Sequence, residues 1–220
     1  MRWQVIIVGG HTRSIGKTQL VCDLIAAFPN ENWIAGKITQ YGHGVCAQNG
    51  ENCDCAPDDH VCAISWEKSA NETDSGRFLA AGARRSFWLR TKQGFLAEGM
   101  PLLRKALREA AETDYPNAPG HVILESNTLL QFLKPLLYLM VLDPSKADFK
   151  ESARLQMDRA SAFVLRQPLH AANSVVAWAG FPVQLLRGKP EFLQREGEAL
   201  PPDLLEHVQG IVRDAEGVAL

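Results

Sequence analysis

The segment Gly9-Gly-His-Thr-Arg-Ser-Ile-Gly-Lys-Thr18 concentrates more chemistry than any other part of the sequence. Gly16, Lys17 and Thr18 match the end of the pattern G-x-x-x-x-G-K-[ST]. In that pattern backbone N–H groups surround phosphates and a helix begins beneath them. A lysine at position 17 reaches the β- and γ-phosphates, and a threonine hydroxyl at position 18 ligates Mg²⁺. Gly10, His11, Thr12, Arg13, Ser14, Ile15, Gly16, Lys17, Thr18 and Gln19 are therefore the candidate ligands of a nucleoside triphosphate, GTP or ATP. The first motif glycine should stand six residues before the lysine, and that position is His11. Either the loop is one residue longer, starting at Gly10, or His11 takes the glycine's place, histidine being among the side chains that best tolerate unusual φ.

A second candidate is Glu125, at the end of the apolar run His121-Val-Ile-Leu-Glu125 and followed by Ser126 and Asn127. An acid at the carboxyl end of a buried strand is placed to hold Mg²⁺ with Thr18, or to orient an attacking nucleophile. Ser126 and Asn127 are candidate phosphate or substrate contacts; the alternative for Glu125 is a solvent-facing cap on a helix from Thr128.

Four of the five cysteines form a third group, Cys46, Cys53, Cys55 and Cys62, spaced C-x6-C-x-C-x6-C with His43 and His60 nearby. Four thiolates on one polar loop can close a tetrahedral Zn²⁺ site or hold an iron–sulfur cluster. Redox thiols, or no special role, remain alternatives, because zinc sites more often pair cysteines two to four residues apart. Cys22, on the flank of the first helical segment, reads as a small buried hydrophobe.

The elements that must position these groups alternate between strand and helix. Trp3 to Val8 is a near-continuous apolar run ended by Gly9-Gly10, so it reads as a buried strand. Lys17 to Phe28 follows as a helix stopped by Pro29-Asn30. Strands are expected at Asn32 to Thr39, Ala63 to Trp66, Ser86 to Arg90, His121 to Leu124, Leu136 to Leu142, Ala162 to Leu165 and Ser174 to Ala177. Helices are expected at Asp74 to Ala83, Phe95 to Glu112, Phe149 to Met157 and Pro202 to Arg213. This alternation predicts α/β, a P-loop NTPase three-layer sandwich with a mostly parallel sheet. One domain over residues 1–220 is expected, with a Cys-rich insertion over 41–64. The region after about Ala179 carries no functional signal in the sequence and reads as a cover on the sheet.

Composition narrows the classes further. The 220 residues are 46% hydrophobic and 22% charged, an ordinary balance for a packed domain. A formal net charge of −2 gives no electrostatic reason to expect nucleic acid or an anionic membrane as partner. The N-terminal apolar run is too short for an export signal or a spanning helix. A cytoplasmic, reducing location is therefore expected, where a structural disulfide framework is not.

With the phosphate motif, the stretch Thr73-Asp-Ser-Gly-Arg-Phe-Leu-Ala-Ala-Gly-Ala83 and the strand ending in Glu125, the order of motifs resembles the molybdopterin-guanine dinucleotide biosynthesis protein B family. The resemblance spans roughly residues 3–165 and implies a P-loop NTPase acting in molybdenum-cofactor biosynthesis. It implies that Lys37, Asp74, Ser75, Arg77 and Glu125 line the nucleotide side of the sheet, and that chains dimerise near the nucleotide. Ser126 replaces the family's glycine after the acid, and Arg166-Gln-Pro168 stands where a guanine-reading Asn-Lys-x-Asp is expected. Asp74 also has the plain reading of a helix N-cap. The leading expectation is a Mg²⁺-dependent nucleotide-hydrolysing accessory protein for metal-cofactor assembly, working with a protein partner, with Lys17, Glu125 and Asp74 acting on the γ-phosphate. One alternative is a kinase or ligase whose Arg77, Arg84 or Arg85 clamps an anionic substrate. The other is a nucleotide-ordered binding module without turnover.

Overall fold

The computed structural model describes residues 2–42, 61–114, 120–169, 185–214 and 218–219. Cys46, Cys53 and Cys55, with His43, His60 and the expected strand Ser174 to Ala177, lie outside the described residues.

The chain opens with β1 (Arg2–Gly10) and α1 (Lys17–Ala27), followed by β2 (Ile34–Tyr41), β3 (Cys62–Trp66) and α2 (Asp74–Ala80). Then come β4 (Arg85–Lys92), α3 (Leu96–Asp114), β5 (Gly120–Glu125) and β6 (Leu137–Leu142). The remaining elements are α4 (Glu151–Arg154), β7 (Ala162–Leu165), β8 (Glu191–Leu193), α5 (Pro202–Asp214) and β9 (Val218–Ala219). The strands form one sheet in the order β3-β4-β2-β5-β1-β6-β7-β8, with β9 paired to the start of β1. Neighbours run parallel except at β3 against β4 and β9 against β1.

Both faces are covered, which is why the central strands are apolar throughout instead of alternating. In β1, Val5 and Ile7 face the layer that contains Leu96, Met100, Leu103 and Leu107 of α3. Ile6 and Val8 face the opposite layer, with Leu20, Leu24 and Ile25 of α1, Phe78 of α2 and Leu204 and Val208 of α5. The result is a three-layer α/β P-loop sandwich. Parallel pairing brings the carboxyl ends of β1, β2 and β5 together, and in register Val8, Glu125 and Lys37 form one row across the three strands.

Several sequence expectations shift. The expected helix Phe149 to Met157 is only the short α4 followed by a 3-10 turn at Met157–Arg159; Gln156 between them leaves helical geometry at φ −118 and ψ 2. Strand β2 starts two residues later than expected because Asn32 adopts a left-handed conformation, φ 50, after the 3-10 turn at Pro29–Glu31. Helix α2 ends at Ala80, and the chain reverses at Gly82, φ 106. Strands β8 and β9, three and two residues long, were not expected; neither is long enough to show a period. Among the described residues no helix is long and apolar enough to cross a membrane.

Close contact of β2 with both neighbours depends on Gly36. A Cβ there would stand 2.3 Å from Phe87 Cζ and 2.8 Å from Leu124 Cδ2, both fully buried. Gly36→Ala should therefore overpack the sheet beside Lys37 and cost about 1–3 kcal/mol. In a thermal melt this is a drop of roughly 2–12 °C; an unchanged midpoint would show that the layer yields freely at this point.

Candidate functional site

The phosphate loop connects β1 to α1 through two left-handed residues, Ser14 at φ 49 and Gly16 at φ 82. Helix α1 begins at Lys17 with no side-chain cap and no acid in its first turn. The first N–H groups of a helix have no partner within it, so those of Lys17, Thr18 and Gln19 open on the cleft with the positive end of the helix dipole behind them. This is the geometry that accepts an anion.

The front of the loop differs from expectation. Gly10 N–H donates to Asn127 Oδ1 at 2.8 Å, and Asn127 Nδ2 donates back to Gly10 O at 2.9 Å. His11 N–H donates to Val141 O at 3.2 Å. The amide of Gly10 is thus spent on Asn127 and that of His11 on β6, and the free cradle starts beyond them. Asn127 and Ser126 serve structure: the Ser126 hydroxyl accepts from the N–H groups of Thr128 and Leu129, both at 3.2 Å.

His11 needs no unusual φ; the positive φ falls on Ser14. Its ring is fully buried, 5.1 Å from the Phe149 ring, and Nδ1 accepts from Asp143 N–H at 3.4 Å. Burial lowers its pKa to about 4, so the ring is neutral at ordinary pH.

Behind the loop the expected acids and lysines converge. Lys37 Nζ donates to Glu125 Oε1 and lies 2.8 Å from Asp74 Oδ2. Thr18 Oγ1 donates to Glu125 Oε2 at 2.7 Å. Burial alone would lower the Lys37 pKa, but Glu125 and Asp74 outweigh it and hold it above the usual lysine value. Asp74 is buried enough to raise its pKa, yet Lys37 and hydrogen bonds from Lys37 and Thr18 bring it below the usual carboxylate value. Asp74 is also not the helix cap. Thr73 caps α2 by accepting from Gly76 N–H at 3.0 Å, which leaves the Asp74 carboxylate for Lys37. Lys17 donates to the loop's own Thr12 O at 2.5 Å, and burial brings its pKa down to about 8 against the pull of Glu125.

The Thr18 hydroxyl and the Glu125 and Asp74 carboxylates are all hard oxygen donors opening on one side of the cleft, the set that suits Mg²⁺. Among the described residues no three His, Cys, Asp or Glu side chains are grouped to hold a metal by themselves. Of the cysteine group only Cys62 is described; it is half-buried at the start of β3, its thiol pKa raised by burial and by Glu98, with Sγ 3.4 Å from Phe95 O. Cys22 is buried, and burial pushes its thiol up to about 11, the behaviour of an inert core residue.

Other expected residues divide. Arg77 reaches the cleft, donating to Gln19 Oε1 at 2.6 Å. Ser75 is buried with its hydroxyl donating to Glu67. Arg84 and Arg85 are at the opposite end of the sheet: Arg85 starts β4 beside Ile34 and stacks on Trp66 at 5.7 Å, so neither can clamp a ligand at the phosphate loop.

The residue that the sequence alone does not reveal is Arg166. It is buried, and it donates from Nε to Ile15 O at 2.9 Å, from one terminal nitrogen to Gly16 O at 2.7 Å, and from the other to Gln194 at 2.8 and 3.1 Å. Gln194 in turn donates to Asp23 Oδ2 at 3.0 Å. Gly16 has room for this only because it lacks a side chain, since a Cβ would stand 2.6 Å from the guanidinium. The cleft runs from Gln167 and residues 194–199, across the phosphate loop, to Lys37, Thr39 and Trp88, with a volume of about 1830 Å³. Residues 194–199, in the region expected only to cover the sheet, therefore line the cleft.

No protein-family model matches the chain, and no curated protein matches it, so the resemblance to molybdopterin-guanine dinucleotide biosynthesis protein B rests on short motifs alone. Among solved structures, the chain is similar to HypB from Helicobacter pylori in complex with nickel, with a TM-score of 0.49 and 15% identity, over 96% of this chain and 86% of that one. It is also similar to an "apo" form of LpxK from Aquifex aeolicus in complex with ATP, with a TM-score of 0.48 and 18% identity, over 94% of this chain. The chain spans 61% of the length of that second structure.

Proposed function

We propose that the chain binds a nucleoside triphosphate with Mg²⁺ and hydrolyses its terminal phosphate bond, as an accessory protein in the assembly of a metal-containing cofactor. The observation that carries the nucleotide part is the convergence of Thr18, Glu125, Lys37 and Asp74 beside the uncapped start of α1. In this reading the N–H groups from Ser14 to Gln19 hold the β- and γ-phosphate oxygens, and Lys17 leaves Thr12 O to join them. Thr18 with Glu125 would hold Mg²⁺, which would supply neutralising charge to the phosphates. Asp74 and Glu125 orient the water that adds to the γ-phosphorus as the bridging oxygen leaves with the diphosphate. Arg166 keeps the Ile15 and Gly16 carbonyls turned away from the phosphates.

The metal part is supported by connectivity. Strand β2 carries Lys37 and leads directly into the segment with Cys46, Cys53 and Cys55, and Cys62 starts the next strand. Zn²⁺ or an iron–sulfur cluster held by these four cysteines would be joined to the nucleotide site by one strand. A kinase or ligase is the second reading, favoured by the extension of the cleft past Lys37 to Thr39 and Trp88, with Arg77 alongside. Its volume exceeds the roughly 300–1,000 Å³ of a site for one small ligand.

Lys17→Ala should abolish triphosphate binding in a titration while leaving the melting temperature in place; undiminished binding would sink the nucleotide reading. Proton linkage offers a second check. Lys17 sits near pKa 8 in the free protein, between the carboxylates of Glu125 and Asp74 and the cations of Lys37 and Lys150. Phosphate oxygens would raise that value, so binding at pH 8 should take up protons. Affinity should then fall as pH rises through 8 and level off below it, where Lys17 is already charged. Calorimetry in two buffers of different ionisation enthalpy measures the uptake, and none at pH 8 would mean that Lys17 does not meet phosphate. For the metal part, Cys53→Ser with Cys55→Ser should remove stoichiometric metal from anaerobically purified protein; unchanged metal content by elemental analysis would place the metal elsewhere.

A further inference from the structure

The segment 143–150, which follows β6, is fastened along the phosphate loop. Asp143 N–H donates to the His11 ring, Lys146 Nζ donates to Ser14 O at 2.5 Å, and Thr12 Oγ1 donates to Asp148. Phe149 packs on His11, and Lys150 N–H donates to His11 O at 2.8 Å. The side chain in place of the first motif glycine thus ties this segment to the cradle, and the last bond anchors Lys150 at the loop's entrance.

The Lys150 side chain is half-buried, and among the described residues its ammonium makes no hydrogen bond or ion pair. It lies within electrostatic reach of Arg13, Asp148, Lys37 and Glu125, and Lys17 is within reach of it. Lys37 is already engaged by Glu125 and Asp74, and Asp148 by Thr12. Lys17, Lys37 and Lys150 are therefore gathered around the carboxylates of Glu125, Asp74 and Asp148, and of the latter two lysines only Lys37 is engaged by them. Burial, and then Arg13, pulls the Lys150 pKa down to about 8, with Asp148 and Glu125 opposing them. The groups it shares with Lys17 are those of the Thr18–Glu125–Lys37 end, opposite the end of the cleft that holds Arg166 and Gln194.

We propose that Lys150 is a second phosphate-binding lysine, carried by the segment after β6 and pinned through His11, that contacts the terminal phosphate of a triphosphate seated on the loop. This rests on the nucleotide reading above and adds to it a means of distinguishing triphosphate from diphosphate. Arg13, on the loop itself, is within electrostatic reach of Lys150.

The test is a titration of wild type, Lys150→Met and Lys150→Arg with β,γ-imido triphosphates and with diphosphates of guanosine and adenosine. Lys150→Met should weaken the imido triphosphate roughly tenfold or more, the worth of a charge-assisted hydrogen bond, and leave the diphosphate unchanged. Lys150→Arg should keep most of the preference for triphosphate. Equal losses for both nucleotides, or no loss for the triphosphate, would overturn the proposal while leaving Lys17 in place. A wild-type chain that bound neither nucleotide would overturn the nucleotide reading itself. Should Lys150→Met not fold, Lys150→Gln supplies the same comparison: a loss confined to the triphosphate supports the proposal, and an equal loss or none overturns it.

Discussion

The ammonium of Lys37 holds together groups from three separate elements: its own strand β2, Glu125 at the end of β5, and Asp74 at the start of α2. Thr18 on α1 closes the set through Glu125. Placing three charges at the sheet's edge costs desolvation energy that apolar packing would not, and such groups are seldom kept for stability alone. Losing Lys37 would leave the buried Glu125 carboxylate without its cation, a penalty of about 3–5 kcal/mol. The orientation of everything around the phosphate loop follows from satisfying this one cation. Glu125 must turn one oxygen to Lys37 on β2 and the other to Thr18 on α1, Asp74 must leave the capping of α2 to Thr73, and β2 must lie close enough to β5 that only glycine fits at position 36.

A phosphate loop usually gains its tight turn from small residues, and here a bulky ring stands at the first of them. The structure accommodates it by separating two tasks. Left-handed backbone is confined to Ser14 and Gly16, close to the helix. The entrance is given to side-chain packing, with His11 inside, Phe149 against it, and Asn127 holding both polar groups of Gly10. The entrance is thereby stiffened by cross-links from two neighbouring loops, not by its own backbone.

Much of this was legible in the sequence where a local rule governs. A buried strand, a glycine turn and a helix in that order announced the loop from Trp3 to Phe28, and an acid ending an apolar strand announced Glu125. Asp74 was legible as a polar residue at a helix start, but whether it or Thr73 caps the helix depends on Lys37, which is 37 residues earlier. Arg166 could not be read, because its partners are carbonyl groups of residues 15 and 16, and carbonyls leave no mark in side-chain identity. Residues 194–199 escaped notice for a related reason: a strand of three residues has no period, and the turn after it owes its position to Gln194 bonding with Asp23 across the fold. Arg84 and Arg85 misled in the opposite direction, since composition cannot say at which end of a strand a charge will fall.

The ties of Arg166 and Gln194 also bear on the order in which the molecule comes into being. Ile15 and Gly16 are joined to a residue about 150 positions further on, and Asp23 to one 171 further on. Synthesis delivers the N-terminal end first, so the loop emerges with its helix and first strand while the arginine that fixes its carbonyls does not yet exist. Contacts of such separation form late, after the closure entropy of the intervening chain has been met. The nascent chain therefore carries the motif long before it carries the cradle, and competence for a ligand arrives only when the last third of the sequence has folded back upon the first.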